Sequence, residues 1–332
     1  MVVTILSIDG GGIRGLLPAR VLQEIRFRLE KRGERRAYSE LFNLVAGTST
    51  GALIALAVSL RNKDGSECFP SEMIVDLYKS RSAEIFPLSY QSALHTAVQA
   101  FRNKYSAEPF EKLLLDFFGD KKLSDAGTNL LITSFDTNSM QPHCMKNRIP
   151  KEKWNDDPDF LMRDAARASA AAPTYFSPAF ISSIESPQLK YSLIDGGVFA
   201  SNPAGLAYVE ATKIFPDEKE FLILSLGTGK SRHGYSFEEI HGWGYVEWVN
   251  PKKGFPIGAI MSAGQSEAVN HQLSRLDNVR FIRINTILHE NSISIDDAGR
   301  DHISTLLKTA DLMINSNDEL LEETCEILSQ FH

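Results

Sequence analysis

The sequence predicts an α/β protein built on a mostly parallel sheet with helices on both faces. Three observations lead there. Short apolar runs alternate with helical patterns along most of the 332 residues. Glycine-rich turns follow two of those runs and open directly onto helices, as parallel βα units require. A hydrophobic content of 43% is enough to bury one large core in a chain this long.

In chain order, strand-like runs fall at Ile5–Asp9, Leu44–Gly47, Leu130–Phe135, Leu193–Asp195, Phe221–Leu226 and Phe281–Ile284. Each is short and apolar, the form a strand takes when buried on both faces. Helical patterns lie at about Pro18–Lys31, Ala52–Arg61, Pro70–Ala83, Phe110–Phe118, Leu161–Ala170, Pro203–Ile214, Ala259–Arg275 and Asp301–Leu312. Asn202-Pro203 reads as an N-cap followed by proline in the first helical position. The chain shows no internal repeat, low-complexity tract or Pro/Ser-rich linker. It therefore reads as one domain over residues 1–332, with its motifs within about 5–230 and a helical part at about 255–332.

A net charge of −7 argues against general nucleic-acid binding, which needs a basic domain, so no nucleic-acid polymer is expected as partner. Three cysteines (Cys68, Cys144, Cys325) are odd in number and lack metal or redox spacing, which suits free thiols in a reducing compartment. The N-terminus shows no secretory signal, and no run of about 18 apolar residues is present. The expectation is a cytoplasmic protein.

Two turns carry the chemistry. Gly47-Thr48-Ser49-Thr50-Gly51 lies between an apolar run and Ala52–Ala57, the strand, Gly-x-Ser-x-Gly, helix context of a nucleophile elbow. Its glycines let strand and helix approach closely while the serine takes a strained turn. Asp9-Gly10-Gly11-Gly12-Ile13-Arg14-Gly15 follows the first strand and offers consecutive backbone N–H groups, the material of an oxyanion hole.

A serine hydroxyl needs an adjacent base. None of the histidines His95, His143, His233, His241, His271, His289, His302 and His332 follows a strand in the small-residue turn suited to a triad. The best-placed acid is Asp195, which ends a strand and opens Asp195-Gly196-Gly197, where open α/β sheets keep their sites. An aspartate that merely caps a turn is the competing reading. Gly10-x-Gly12-x-x-Gly15 is formally a dinucleotide fingerprint, but the next strand ends in Gly47 rather than an acid. Gly229-Lys230-Ser231 resembles the tail of a P-loop, yet Leu224 stands where its first glycine belongs. An ordinary Ser–His–Asp esterase, and a catalytically silent binding protein on the same fold, remain as alternatives.

With Ala168-Ser169-Ala170-Ala171-Ala172-Pro173, these turns resemble the four signature blocks of the patatin-like phospholipases, in the family's order. Leu224–Gly229 extends the resemblance to about residue 230. The resemblance implies a three-layer α/β/α sandwich and calcium-independent hydrolysis of lipid acyl esters, of phospholipase A or lysophospholipase type, with no cofactor and no metal. It implies Ser49 as nucleophile and Asp195 as general base and acid, a dyad without histidine. Gly10, Gly11, Gly12 and Ile13 would supply the oxyanion hole. Arg14, Gly15, Gly47, Gly51, Gly196 and Gly197 would support it, Arg14 standing where the family has arginine or lysine. The Ala168–Pro173 block is expected to pack small residues near the dyad.

Membrane phospholipids are then the expected partner, reached peripherally. Ile85–Leu88, Tyr90, Phe101, Tyr105 and Phe110, with Lys79, Arg81, Arg102 and Lys104, read either as an interfacial lid within residues 61–127 or as a packed insertion. Arg20, Arg26, Arg28, Lys31, Arg32, Arg35 and Arg36 read as a membrane-facing or merely solvated run. Bacterial members of the family include phospholipase effectors of antiphage defence, switched on by cyclic oligonucleotides. A short chain is compatible with that type, with a cyclic-nucleotide activator and a homo-oligomer as further partners. The segment Gly234–Gly254, with Tyr235, Trp243, Tyr245, Trp248, Lys252 and Lys253, is where bases would stack, or else a surface loop.

Overall fold

The computed structural model describes residues 2–87, 103–150, 158–231, 234–250, 253, 255–288 and 294–330. Its strands are β1 (Val2–Ile8), β2 (Leu44–Thr48), β3 (Asn129–Asp136), β4 (Gln141–Asn147), β5 (Ala179–Ile181), β6 (Tyr191–Asp195), β7 (Glu220–Leu226), β8 (Lys230–Ser231), β9 (Val279–Ile284) and β10 (Ile287–Leu288). Eight of them form one sheet in the order β5–β6–β3–β2–β1–β7–β9, with β4 also on β3; β8 and β10 pair separately. From β3 to β9 the sheet is parallel. β4 and β6 join β3 antiparallel, and β5 joins β6 antiparallel.

The helices are α1 (Leu16–Lys31), α2 (Tyr38–Leu41), α3 (Thr50–Ser59), α4 (Ser71–Ile85), α5 (Glu108–Phe118), α6 (Met162–Ser169), α7 (Gly197–Ala200), α8 (Ala204–Ile214), α9 (Phe237–Ile240), α10 (Tyr245–Trp248), α11 (Pro256–Leu273), α12 (Arg300–Ser316) and α13 (Asp318–Gln330). Side chains alternate across a strand, and both sets are apolar here. Val3, Ile5, Leu44, Ala46, Leu131, Phe221 and Ile223 form one core with Ala204, Ala207 and Ala211 of α8 and Leu273 of α11. Leu6, Ile8, Val45, Leu130, Ile132, Leu222 and Leu224 form the other beneath α1, α3, α12 and α13. The result is the predicted three-layer α/β arrangement. Helix α3, directly after the elbow, is buried on every side, which its apolar interior Ala52–Val58 allows, and the hydroxyls of Thr50 and Ser59 at its ends are hydrogen-bonded.

Each predicted strand and helix is present within a few residues of its expected ends, and nine of the elements given above are additional: β4, β5, β8, β10, α2, α7, α9, α10 and α13. β4 (Gln-Pro-His-Cys-Met-Lys-Asn) lacks β-branched residues and carries Pro142, tolerated near an exposed strand start. β5 is three residues long. α13 follows α12 after a one-residue break, and its acidic face takes up Arg28 and Arg32 of the basic run, whose other partners lie elsewhere. Arg28 bonds Asp318 (2.7 Å) and Glu322 (3.0 Å), Arg32 pairs with Glu322, Arg20 with Asp311 (3.3 Å), Arg26 with Glu67 and Arg36 with Glu34 (2.6 Å). Five of those cations are satisfied within the protein, so the run is largely an internal docking face rather than a membrane face.

The described part of residues 61–127 is a packed insertion. Tyr105 and Phe110 are buried, and Phe86 meets Tyr105 and Phe176 at ring distances of 5.4 and 6.2 Å. Lys79 pairs with Asp76 and Arg81 with Glu84 and Asp116, all at 2.9 Å. Leu88, Tyr90, Phe101 and Arg102 lie outside the described residues. Among the described residues, no helix is long and apolar enough to cross a membrane.

Candidate active site

Strand register brings the site together. β3 has two edges, and β4 occupies one of them along Leu130–Asp136. The other is shared: β2 covers Asn129–Thr133, and β6, running the opposite way, covers Ser134–Asp136. The ends of β2 and β6 therefore meet on β3, where Thr48 pairs with Thr133 and Asp195 with Ser134. Ser49, the next residue after Thr48, arrives beside Asp195.

At the elbow Ser49 has φ 56° and ψ −122°, a left-handed backbone that a side chain rarely adopts. Glycine is needed on both sides of it. A Cβ at Gly47 would collide with the Gly51 carbonyl, and one at Gly51 with the Ile8 carbonyl. The Ala168–Pro173 block braces both Ser49 and Asp195. The Ser49 amide donates to Ser169 Oγ (2.9 Å), and the Asp195 amide to the Ala171 carbonyl (3.0 Å).

The Asp195 carboxyl is buried, and burial raises it to about 6. Two hydrogen bonds pull the other way, from the Gly197 amide to Oδ1 (2.7 Å) and from Ser49. Gly196 is required because a Cβ there would run into Thr133. No described histidine acts on Asp195. His143 sits beside Asp136, edge-on to Phe160 (5.9 Å) and tilted against Tyr191 (4.6 Å), and burial lowers it. His302 faces Asp297, and His241 caps its own turn through the Glu238 carbonyl. His95, His233, His289 and His332 lie outside the described residues.

The glycine loop lies against the elbow: a Cβ on Gly10 would stand 3.3 Å from Ser49 Cβ. Here the structure narrows the expected donor set. The Gly10 amide donates to the Ser201 carbonyl (3.0 Å) and the Ile13 amide to the Ile295 carbonyl (2.8 Å), so neither is available to an oxyanion. Among the described residues the amides of Gly11 and Gly12 have no backbone acceptor. Gly12 has φ +59°, and any Cβ there would strike the Ile295 carbonyl. Gly15 is pressed against Thr50 and Tyr78. Arg14 Nε donates to the Gly11 carbonyl (3.4 Å), and burial takes its guanidinium down to about 10 against the pull of Tyr175 and Asp9. Those contacts favour loop support as its role.

Sequence reasoning passed over the partner of Asp9. Arg283 grips that carboxylate with two bonds (2.9 and 2.5 Å) and bonds Ser225 Oγ (2.8 Å). Burial raises the Asp9 carboxyl while Arg283 pulls it down. The signal was present: Val279-Arg280-Phe281-Ile282-Arg283-Ile284 places Arg283 on the same face as Val279 and Phe281, which pack on the core. An arginine there needs an acid.

Loop, elbow and Asp-Gly-Gly turn thus converge at the carboxyl end of the parallel strands, where open α/β sheets bind ligands. The sequence profile described as "Patatin-like phospholipase" matches residues 6–208, a span that holds all three. The chain belongs to the patatin-like phospholipase family. "Patatin-like protein 2" of Arabidopsis thaliana is 34% identical over 97% of this chain and 83% of its own length. "Patatin-like protein 1" of Oryza sativa subsp. indica is 30% identical over 94% of this chain and 81% of its own. Among solved structures, VipD from Legionella pneumophila aligns over 94% of this chain and 67% of its own at 13% identity and a TM-score of 0.38. Family membership makes lipid acyl hydrolysis the activity class.

Proposed function

We propose that this patatin-like chain cleaves fatty-acyl esters of membrane phospholipids by a Ser49–Asp195 dyad. One observation carries the reading: a serine on a strained elbow donates to a buried carboxylate whose pKa burial has raised to about 6. Asp195 takes the Ser49 proton as Oγ attacks the acyl carbonyl, and passes it to the leaving alcohol. The oxyanion rests on the amides of Gly11 and Gly12, each worth about 2.7–4 kcal/mol of barrier. Water, deprotonated by Asp195, then releases the fatty acid from the acyl-enzyme. No step needs a metal ion, so release from phospholipid vesicles is expected to persist in EDTA. Loss of activity in the chelator, restored by calcium, overturns that part.

The pH dependence follows from Asp195. The base must be ionised, so kcat/KM is expected to fall about tenfold per pH unit below about 6 and to level off above it. A profile centred near 7 that moves with a histidine substitution points to a Ser–His–Asp esterase instead.

Membrane contact is proposed on the face built by α10 and the start of α11. Tyr245, Val246, Phe255, Ile260 and Met261 are exposed there, and no acidic residue occurs between Glu247 and Glu267. Lys253 lies over the Trp243 ring, 4.4 Å from its centre. α11 touches the site, since Ser262 Oγ meets Ser201 Oγ at 2.8 Å and Ser201 holds Gly10. Aromatic and aliphatic groups with lysine suit a lipid interface. Replacing Tyr245 and Met261 together by serine is expected to weaken vesicle binding about tenfold and leave hydrolysis of a soluble ester unchanged. Equal sedimentation with vesicles refutes this face. Adding cyclic oligonucleotides to the same assay, with sedimentation velocity alongside, tests activation and homo-oligomer formation; identical turnover removes the effector reading.

A further inference from the structure

The Ile295 carbonyl, which occupies the Ile13 amide and forces glycine at position 12, belongs to a segment held by a buried ionic cluster. Asp296 is its centre. Its Oδ2 accepts from Lys104 Nζ (2.5 Å) and Tyr105 OH (2.9 Å), and its Oδ1 from Ser294 Oγ (3.1 Å). Asp296 and Tyr105 are both buried, and burial together with Asp296 raises the Tyr105 phenol far above its usual range, so it stays a donor. Lys104 and Tyr105 also reach across to the segment after the Ala168–Pro173 block. The Lys104 and Tyr105 amides donate to the Thr174 and Tyr175 carbonyls, both at 2.9 Å. On the loop itself, Arg14 Nε bonds the Gly11 carbonyl. Chain segments about 70 and 190 residues apart thus converge on two adjacent peptides of the glycine loop, Gly11–Gly12 and Gly12–Ile13.

We propose that Asp296 is a positioning residue for the oxyanion-binding amides. Clamped by Lys104 and Tyr105, it fixes the Ile295 carbonyl; that carbonyl commits the Ile13 amide and sets the orientation of the Gly11–Gly12 peptide. A charged clamp suits the task, because an oxyanion hole works only when its donors are fixed before the charge develops. The inference rests on the assignment of Gly11 and Gly12 as the oxyanion donors.

The test uses the full chain with Asp296→Asn, Tyr105→Phe and Lys104→Met, a soluble short-chain p-nitrophenyl ester, and titration of Ser49 with a fluorophosphonate. Asp296→Asn is expected to lower kcat per titrated site by roughly 10- to 100-fold, below the 10²–10³ of losing a donor outright. KM should stay within about twofold and the pH midpoint should not move, because Asp195 is untouched. The fluorophosphonate labelling rate should fall in parallel, since its phosphoryl oxygen uses the same amides. Tyr105→Phe and Lys104→Met should show the same pattern more weakly, and they decide the matter if Asp296→Asn does not fold. A loss confined to the number of titratable sites, or a raised KM with kcat per site retained, overturns the proposal. Residual turnover in Ser49→Ala would instead overturn the dyad reading.

Discussion

Ser49→Ala and Asp195→Asn are each expected to lower kcat on the order of 10⁴-fold or more, the loss typical of removing one member of a unit that acts together. Their stabilities should not follow their activities. The folded Asp195 carboxyl sits at about 6, above its ordinary value of 3.8, because burial disfavours the charge. The folded state therefore holds this proton more firmly than the unfolded chain. The stabilisation is complete below about pH 4 and is lost as pH rises through about 6, leaving the ionised carboxylate as a cost at neutral pH. Asparagine keeps an acceptor for the Gly197 amide without the charge. Urea unfolding at pH 7.5 should find Asp195→Asn at least as stable as the parent, with the advantage vanishing below pH 4. A dead enzyme that is also destabilised at neutral pH would make Asp195 a structural carboxylate. Activity surviving in Asp195→Asn would send the search for the base to the histidines.

How much of this was legible in the sequence follows from where each group lies along the chain. The elbow, the glycine loop and the Asp-Gly-Gly turn are local: each needs glycine at fixed positions for backbone reasons, and those reasons leave a readable pattern. The alternation of buried strands and helices is local too. The choice among the four loop amides is not, because it depends on the carbonyls of Ser201 and Ile295, far away in the chain. Backbone acceptors carry no residue identity, so no motif announces them. The basic run on α1 misleads for the same reason. The partners of Arg28 and Arg32, Asp318 and Glu322, lie on a helix about 290 residues away, and without them these arginines read as surface charge. Tyr105 and Phe110 likewise look like an interfacial lid until Phe86 and Phe176 are placed against them. The Arg283–Asp9 pair lies between these cases: an arginine on the core face of a strand demands an acid, and only topology shows that the acid opens the glycine loop.

That pair carries the largest expected effect on stability. Arg283→Met is expected to destabilise the protein by about 3–5 kcal/mol, because it strands the Asp9 carboxylate in a site with little solvent. Asp9 would then take up a proton, so the loss should shrink as pH is lowered toward 5. Asp9→Asn alone should cost a similar amount by stranding the guanidinium, whose Nε already lacks a partner. The double variant should recover much of the loss, since neither charge is left buried; a cycle with a coupling of about 2–3 kcal/mol, measured by urea unfolding, is the expected result. Catalysis should not recover with it. Asp9 precedes Gly10 directly, and β9 holds it through Arg283 as the loop leaves β1, so a neutral pair of ordinary side chains restores the fold without restoring the loop's anchorage. Stability regained with kcat still depressed at least tenfold separates the two roles of the pair. Additive losses, or full recovery of both, would show that Arg283 and Asp9 act independently or serve the fold alone.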